Sequence, residues 1–193
     1  MDNDKKVFLY LVVIGGRIPK ANIELHDVRW VVGQKIEDTF DELKNSWFGS
    51  LDGLHIDSFK KISSVDGYKL KLKKLQNNQS KINPIKKEKD KKKLWFINLG
   101  GYDPKSMQEK HEFGLLVAST ASDAKKMAKS KWLKGFKKKH NDDIDCLQKF
   151  SDIDDCKLIK NINNWEIELI PQEINLVETN YPDWFGYLRI DNK

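Results

Sequence analysis

Two short stretches of this 193-residue chain carry side chains able to move protons or hold a cation: Glu24-x-His26-Asp27 and His55-x-Asp57. Residues two apart on an extended chain project to one face. Glu24 therefore pairs with His26, and His55 with Asp57. If the two stretches converge, two imidazoles meet several carboxylates, a set suited to a divalent metal or to acid–base chemistry. The alternative is structural. His26 and Asp27 then tie the loop ahead of a strand to backbone, and neither a metal nor a cofactor is required.

Gly15-Gly16-Arg17 follows an apolar run. Backbone N–H groups in a glycine turn can cradle an anion, with Arg17 as counter-charge. Against this, no G-x-G-x-x-G or G-K-[ST] pattern is present and no helix follows directly. The plain reading is a turn that needs positive φ.

The net charge of +6 invites a nucleic-acid reading. Residues Lys73 to Lys93, however, hold nine Lys and two acids, so the remainder of the chain sums to −1. The basic character belongs to one segment. That segment has no aromatic residue for base stacking, and the acids Asp142, Asp143, Asp145, Asp152, Asp154 and Asp155 would repel phosphate. Nucleic acid is not expected as a partner. The two cysteines, Cys146 and Cys156, fit no metal spacing and suggest a reduced, cytosolic protein. Lys5-Lys6 before Val7–Ile14 mimics a secretion signal, but Asp2 and Asp4 spoil its start. No apolar run is long enough for a membrane span.

The elements that would position these residues come in duplicate. At an offset of 85 residues, 11 of the 40 positions from Leu9 to Phe48 are identical. Gly15-Gly16 lies over Gly100-Gly101, Pro19 over Pro104, Glu24-x-His26 over Glu109-x-His111, and Trp47 over Trp132. Such self-similarity marks a structural repeat. In each copy an apolar strand (Val7–Ile14) precedes a second (Val28–Val32). A helix follows, with Ile36, Phe40, Leu43 and Trp47 on one stripe. In the second copy the stripe is Ala124, Met127, Ala128 and Trp132, with Thr120 or Ser119 as cap. His55–Ile62 reads as a strand, and Tyr68, Leu70 and Leu72 alternate with lysines in another. Trp165–Ile170 alternates likewise, and the aromatic tail is expected to dock as a further turn and strand.

The first copy carries Gly15-Gly16-Arg17-x-Pro19, Ile23-Glu24-x-His26-Asp27, Trp47-Phe48-Gly49, Leu54-His55-Ile56-Asp57 and Val65-Asp66-Gly67-Tyr68. Together these resemble the bacterial family called Domain of Unknown Function 1543, over roughly Phe8 to Leu72. The second copy departs at Tyr102 for Arg17, Asp143 for His55, and Asp155-Cys156 for Gly67-Tyr68. If the motif marks a site, the second copy has lost or altered it. The resemblance implies no activity.

The expected fold is α+β, with two tandem β-β-α-β-β repeats related by a pseudo-twofold and packed into one compact body. The expected divisions are residues 1–72, a lysine-rich linker at 73–93, a second repeat at 94–160, and a C-terminal strand with an aromatic tail at 161–193. The expected function is a small cytosolic interaction or binding protein without catalytic activity, whose partner is a protein or a small ligand, with homo-oligomers allowed. The alternative is a metal- or acid/base-dependent enzyme using Glu24, His26, Asp27, His55 and Asp57. A further alternative is weak nucleic-acid binding through the linker. Gly15, Gly16 and Arg17 complete the candidate binding residues.

Overall fold

The computed structural model describes residues 6–75, 91–134, 138–139, 145–146, 161–173 and 181–191. In chain order the elements are β1 (Phe8–Gly16), β2 (Leu25–Gly33), a 3-10 turn (Ile36–Thr39) running into α1 (Phe40–Ser46), β3 (His55–Ile62), β4 (Ser64–Val65) and β5 (Tyr68–Lys74). They continue as β6 (Lys93–Tyr102), β7 (Lys110–Ala118), α2 (Ala121–Lys131), β8 (Lys138–Lys139), β9 (Asp145–Cys146), β10 (Asn161–Ile162), β11 (Trp165–Pro171) and β12 (Trp184–Arg189). The strand pairs are antiparallel, and the fold is α+β. No helix among the described residues is long and apolar enough to cross a membrane.

The chain divides into two units, Met1–Ser63 with Thr179–Lys193, and Ser64–Glu178. The strand read at Tyr68–Leu72 is therefore counted with the second unit, because β5 pairs with β11. The expectations for 76–90, for Asp143 and for Cys156 lie outside the described residues.

The first unit is a four-stranded sheet in the order β12-β3-β1-β2. Tyr10, Val12 and Ile14 alternate along β1 and share one face. They pack there with Ile56 of β3 and with Ile36, Leu43 and Trp47 of the helical segment. Burying a side chain such as Leu43 stabilises the unit by roughly 1.5–3 kcal/mol. The helical stripe is the one expected from the 3.6 period, but its first turn is tightened to 3-10. Thr39 Oγ1 donates to the Ile36 carbonyl at 2.6 Å, and Asp38 accepts from the Gln34 and Lys35 amides at 3.1 Å. β12 adds at the outer edge of β3, and Ile190 just beyond it joins the core.

The second unit repeats the β1/β2 pairing. β6 and β7 pair from Lys93↔Ala118 to Gly101↔Lys110, the register of β1 and β2 shifted by 85 residues at all nine positions. Its core joins Trp95, Ile97 and Leu99 to Ala124, Ala128 and Trp132. Thr120 caps α2 by accepting from the Asp123 amide at 3.1 Å. β5 lies in a separate sheet, β10-β11-β5-β4, where Lys73 pairs with Glu168 at 2.9 Å.

Candidate functional site

Gly15 sits on the central strand with His26 opposite it on β2 and His55 opposite it on β3. Directly paired residues project to the same face of a sheet. The two imidazoles thus flank Gly15 on the face away from α1. A Cβ at Gly15 would lie 2.7 Å from His26 Cδ2 and 2.8 Å from Glu24 Oε1, so only glycine leaves the room they occupy. The neighbouring Gly16 faces the core, where a Cβ would meet Trp47 Cζ2 at 3.0 Å.

These contacts correct the turn reading of Gly15-Gly16. Both residues are strand, and the positive-φ glycines among the described residues are Gly53, Gly67 and Gly186. Close approach, and not backbone conformation, selects glycine here. The sheet ladders take up the backbone of Gly15, which removes the geometric basis for an anion cradle. Arg17 is exposed, and its carbonyl accepts from the Ser50 amide at 2.8 Å.

Asp27 does not join the imidazoles. Its Oδ1 accepts from the Val28 amide at 2.8 Å and its Oδ2 from Arg29 at 2.5 Å. One position along from His26, it projects to the other side of β2, where both partners belong to the same strand, so it does not fasten the preceding loop.

Glu24, His26, His55 and Asp57 do converge. His55 Nε2 stands 2.8 Å from Glu24 Oε1 and 3.2 Å from Asp57 Oδ1. His26 Nε2 stands 3.4 Å from Glu24 Oε1 and 3.0 Å from Asp57 Oδ2. Asp57 shares the face of His55 by strand alternation and sits at a β-bulge. The pairing jumps from Val13↔Ser58 to Ile14↔Ile56, so Asp57 is the extra residue.

The tautomer of His55 determines what the cluster can do. Its Nδ1 lies 2.8 Å from the Gly53 carbonyl, which can only accept, so Nδ1 carries a proton. In the neutral ring, Nε2 then presents a lone pair toward two carboxylates that also only accept. Such a contact is repulsive unless the ring carries a second proton or a cation sits among the three groups. His55 is 1% exposed, so water does not relieve it. Glu24, His26 and His55 each offer one ligand atom, all within 4.8 Å of one another. A tetrahedral zinc site with bonds of about 2.0–2.1 Å sets adjacent ligand atoms about 3.3–3.4 Å apart; here the Glu24 oxygen is 3.4 Å from His26 Nε2 and 2.8 Å from His55 Nε2, so the carboxylate would draw back from His55 to admit a cation of that class. Nδ1–H held by a backbone carbonyl is the usual orientation of a metal-bound histidine. The His26 side chain is 50% exposed, so the site opens to solvent on that side.

Two neighbours of the cluster were not read from the sequence as site residues. Tyr187 stacks on His55 with ring centroids 4.0 Å apart and 30° between planes. It belongs to the aromatic tail, whose composition foretold docking but not its target. Gly53, with φ +79, supplies the carbonyl that fixes His55. The offset of two between Gly53 and His55 was the only sequence cue.

The second copy keeps part of this arrangement. Gly100 stands opposite His111, as Gly15 does opposite His26. His111 Nε2 is 3.6 Å from Glu109 Oε2, and the Asn98 side-chain amide lies 3.1 Å from His111 Nδ1. Asn98 occupies the place of Val13, and a polar neighbour anchors an imidazole that has no described histidine beside it.

The family model described as Domain of Unknown Function (DUF1543) matches residues 21–72 and 106–169. These segments include Glu24, His26, His55 and Asp57 in one copy and Glu109 and His111 in the other. The crystal structure of a protein, Il1583 from Idiomarina loihiensis, is similar, with a TM-score of 0.67 and 28% identity. The match covers 97% of this chain and 100% of that one. No curated protein matches. The chain belongs to the DUF1543 family and carries its domain twice.

Proposed function

We propose that the first unit binds one divalent cation of the zinc class through Glu24, His26 and His55. One observation carries this reading: the Nε2 of a buried imidazole, whose Nδ1 faces the Gly53 carbonyl, stands 2.8 Å from Glu24 Oε1 and 3.2 Å from Asp57 Oδ1, with the second imidazole beside them. A divalent cation among these groups would be coordinated by imidazole and carboxylate together. Two imidazoles favour zinc over the harder magnesium and calcium, which prefer oxygen. Three protein ligands and a solvent-facing side describe a site that keeps a position for water. A bound cation would supply Lewis acidity there, and Asp57, which with Glu24 stands beside both imidazoles, would be the residue placed to accept a proton. The proposed activity class is therefore metal-assisted hydrolysis or hydration.

The test is metal content and titration. Full-length protein purified without chelator is expected to carry zinc, or to take up one equivalent after stripping. His55→Ala is expected to abolish that uptake. Failure of the wild type to bind zinc, cobalt or nickel above background contradicts the reading.

A second reading, a protein-interaction module, draws support from β12 and its approach. Tyr181, Phe185 and Tyr187 are 77%, 78% and 62% exposed. Large aromatics this exposed are enriched at binding surfaces. Alanine at Phe185, with loss of a captured partner and unchanged zinc uptake, would favour it.

A further inference from the structure

We infer that Asp191, just beyond β12, is a positioning residue for the metal ligand His55 and acts through Gly53. The inference rests on the proposed metal site and adds to it a determinant of affinity that touches no metal.

Three contacts form the path. The Asp191 Oδ2 accepts a hydrogen bond from the Gly53 amide at 2.8 Å, across 138 residues of sequence. The Gly53 carbonyl accepts from His55 Nδ1 at 2.8 Å. His55 Nε2 then faces Glu24 and Asp57. One residue is thus held at both ends, its N–H by a carboxylate and its C=O by the imidazole that it orients.

Gly53 needs such a hold. It adopts φ +79, and a Cβ placed on it would meet nothing within 4 Å. Glycine is there for its backbone conformation, and glycine is the residue that most readily leaves any one conformation. An unrestrained Gly53 would let its carbonyl swing and the ring rotate with it. The Ile190 amide donates to the Leu54 carbonyl at 3.0 Å, which lays the end of β12 along the same turn.

The environment of Asp191 favours a built contact over a chance one. Its side chain is 3% exposed. A carboxylate is buried only when its charge and lone pairs are satisfied. Arg189 supplies the charge, donating through Nε at 3.0 Å and also through its NH2 group. An Arg–Asp pair alone would be satisfied at the surface. The turn of the second oxygen onto Gly53 is what directs the group toward the site. Partners of metal ligands that lie outside the coordination shell typically change affinity by about 10–100-fold when removed.

The experiment compares full-length wild type with Asp191→Ala, Asp191→Glu and His55→Ala. Zinc affinity is read by competition with a chromophoric chelator, ligand geometry by the visible spectrum of the cobalt-loaded protein, and fold by the melting temperature of the metal-free protein. Asp191→Ala is expected to weaken zinc about tenfold or more and to alter the cobalt spectrum, while His55→Ala abolishes binding. A structural role alone would lower the metal-free melting temperature and leave affinity and spectrum as in the wild type. If Asp191→Ala does not fold, Asp191→Glu reports instead. It keeps the charge, displaces the carboxylate by one methylene, and is expected to weaken zinc several-fold. Zinc affinity within about twofold of the wild type in whichever of the two folds overturns the inference. That outcome differs from failure of the site itself, in which the wild type binds no zinc.

Discussion

Gly15 and His26 face each other across β1 and β2, and a single methyl group on Gly15 would stand 2.7 Å from His26 Cδ2. The sheet therefore has room for an imidazole there only because one side chain is missing. Gly15→Ala is expected to push His26 and Glu24 out of line with His55. The predicted result is a zinc affinity at least tenfold weaker, measured by chelator competition, with a far-ultraviolet spectrum unchanged. The atoms met belong to partly exposed side chains that can move aside, so denaturant titration is expected to show little change in stability.

Tyr187 covers His55 by stacking on its ring at 4.0 Å. Tyr187→Ala is expected to lower stability by about 0.5–1.5 kcal/mol through the lost ring contact. It should also speed the removal of zinc by chelator, since the most buried ligand becomes open to solvent. Tyr187→Phe keeps the ring and is expected to behave as the wild type in both measurements. Stopped-flow chelation and urea unfolding check the pair.

The strands and the site differ in how far they could be read ahead. The apolar runs of β1 and β6, the stripe of Ile36, Leu43 and Trp47, and the Thr120 cap are local patterns, and each appears where its pattern placed it. Glu24 with His26 and His55 with Asp57 were legible from their spacing alone. What was hidden is long-range. No property of Gly15 in sequence separates a glycine that bends a chain from one that makes room for a histidine. Asp27 resembled its neighbours in type, but strand alternation turned it to Arg29. The bulge at Asp57 depends on the register between β1 and β3, and the Asp191–Gly53 bond joins residues 138 apart. Such contacts arise only when the sheet closes.

Burial places the Tyr10 hydroxyl in a setting that disfavours its charged form. Desolvation raises its pKa above the usual value of 10.0, and Glu37, Asp38 and Asp183 add to the rise. A group whose folded pKa is raised contributes stability that is full below the unfolded value and lost as pH climbs through the folded one. The wild type is therefore expected to lose stability above about pH 10, and Tyr10→Phe to lose less over that range. At neutral pH the same variant forfeits the 3.3 Å bond to the Gln34 carbonyl, a cost of about 0.5–1.5 kcal/mol. Urea unfolding across the alkaline range measures both effects.

Thr120 anchors α2 through its hydroxyl, which accepts from the Asp123 amide at 3.1 Å and donates to the Asp123 carboxylate at 2.7 Å. Thr120→Ala is expected to destabilise the second unit by about 1 kcal/mol. Zinc uptake by the first unit should not change. Thermal unfolding alongside a zinc titration separates the two.

The most direct test is diffraction from zinc-soaked crystals, recorded on both sides of the zinc absorption edge. A single strong anomalous peak is expected about 2.0–2.2 Å from His26 Nε2, His55 Nε2 and a Glu24 carboxylate oxygen. Anomalous maps with no peak between His26 and His55, or with zinc bound only at other residues, would contradict the account.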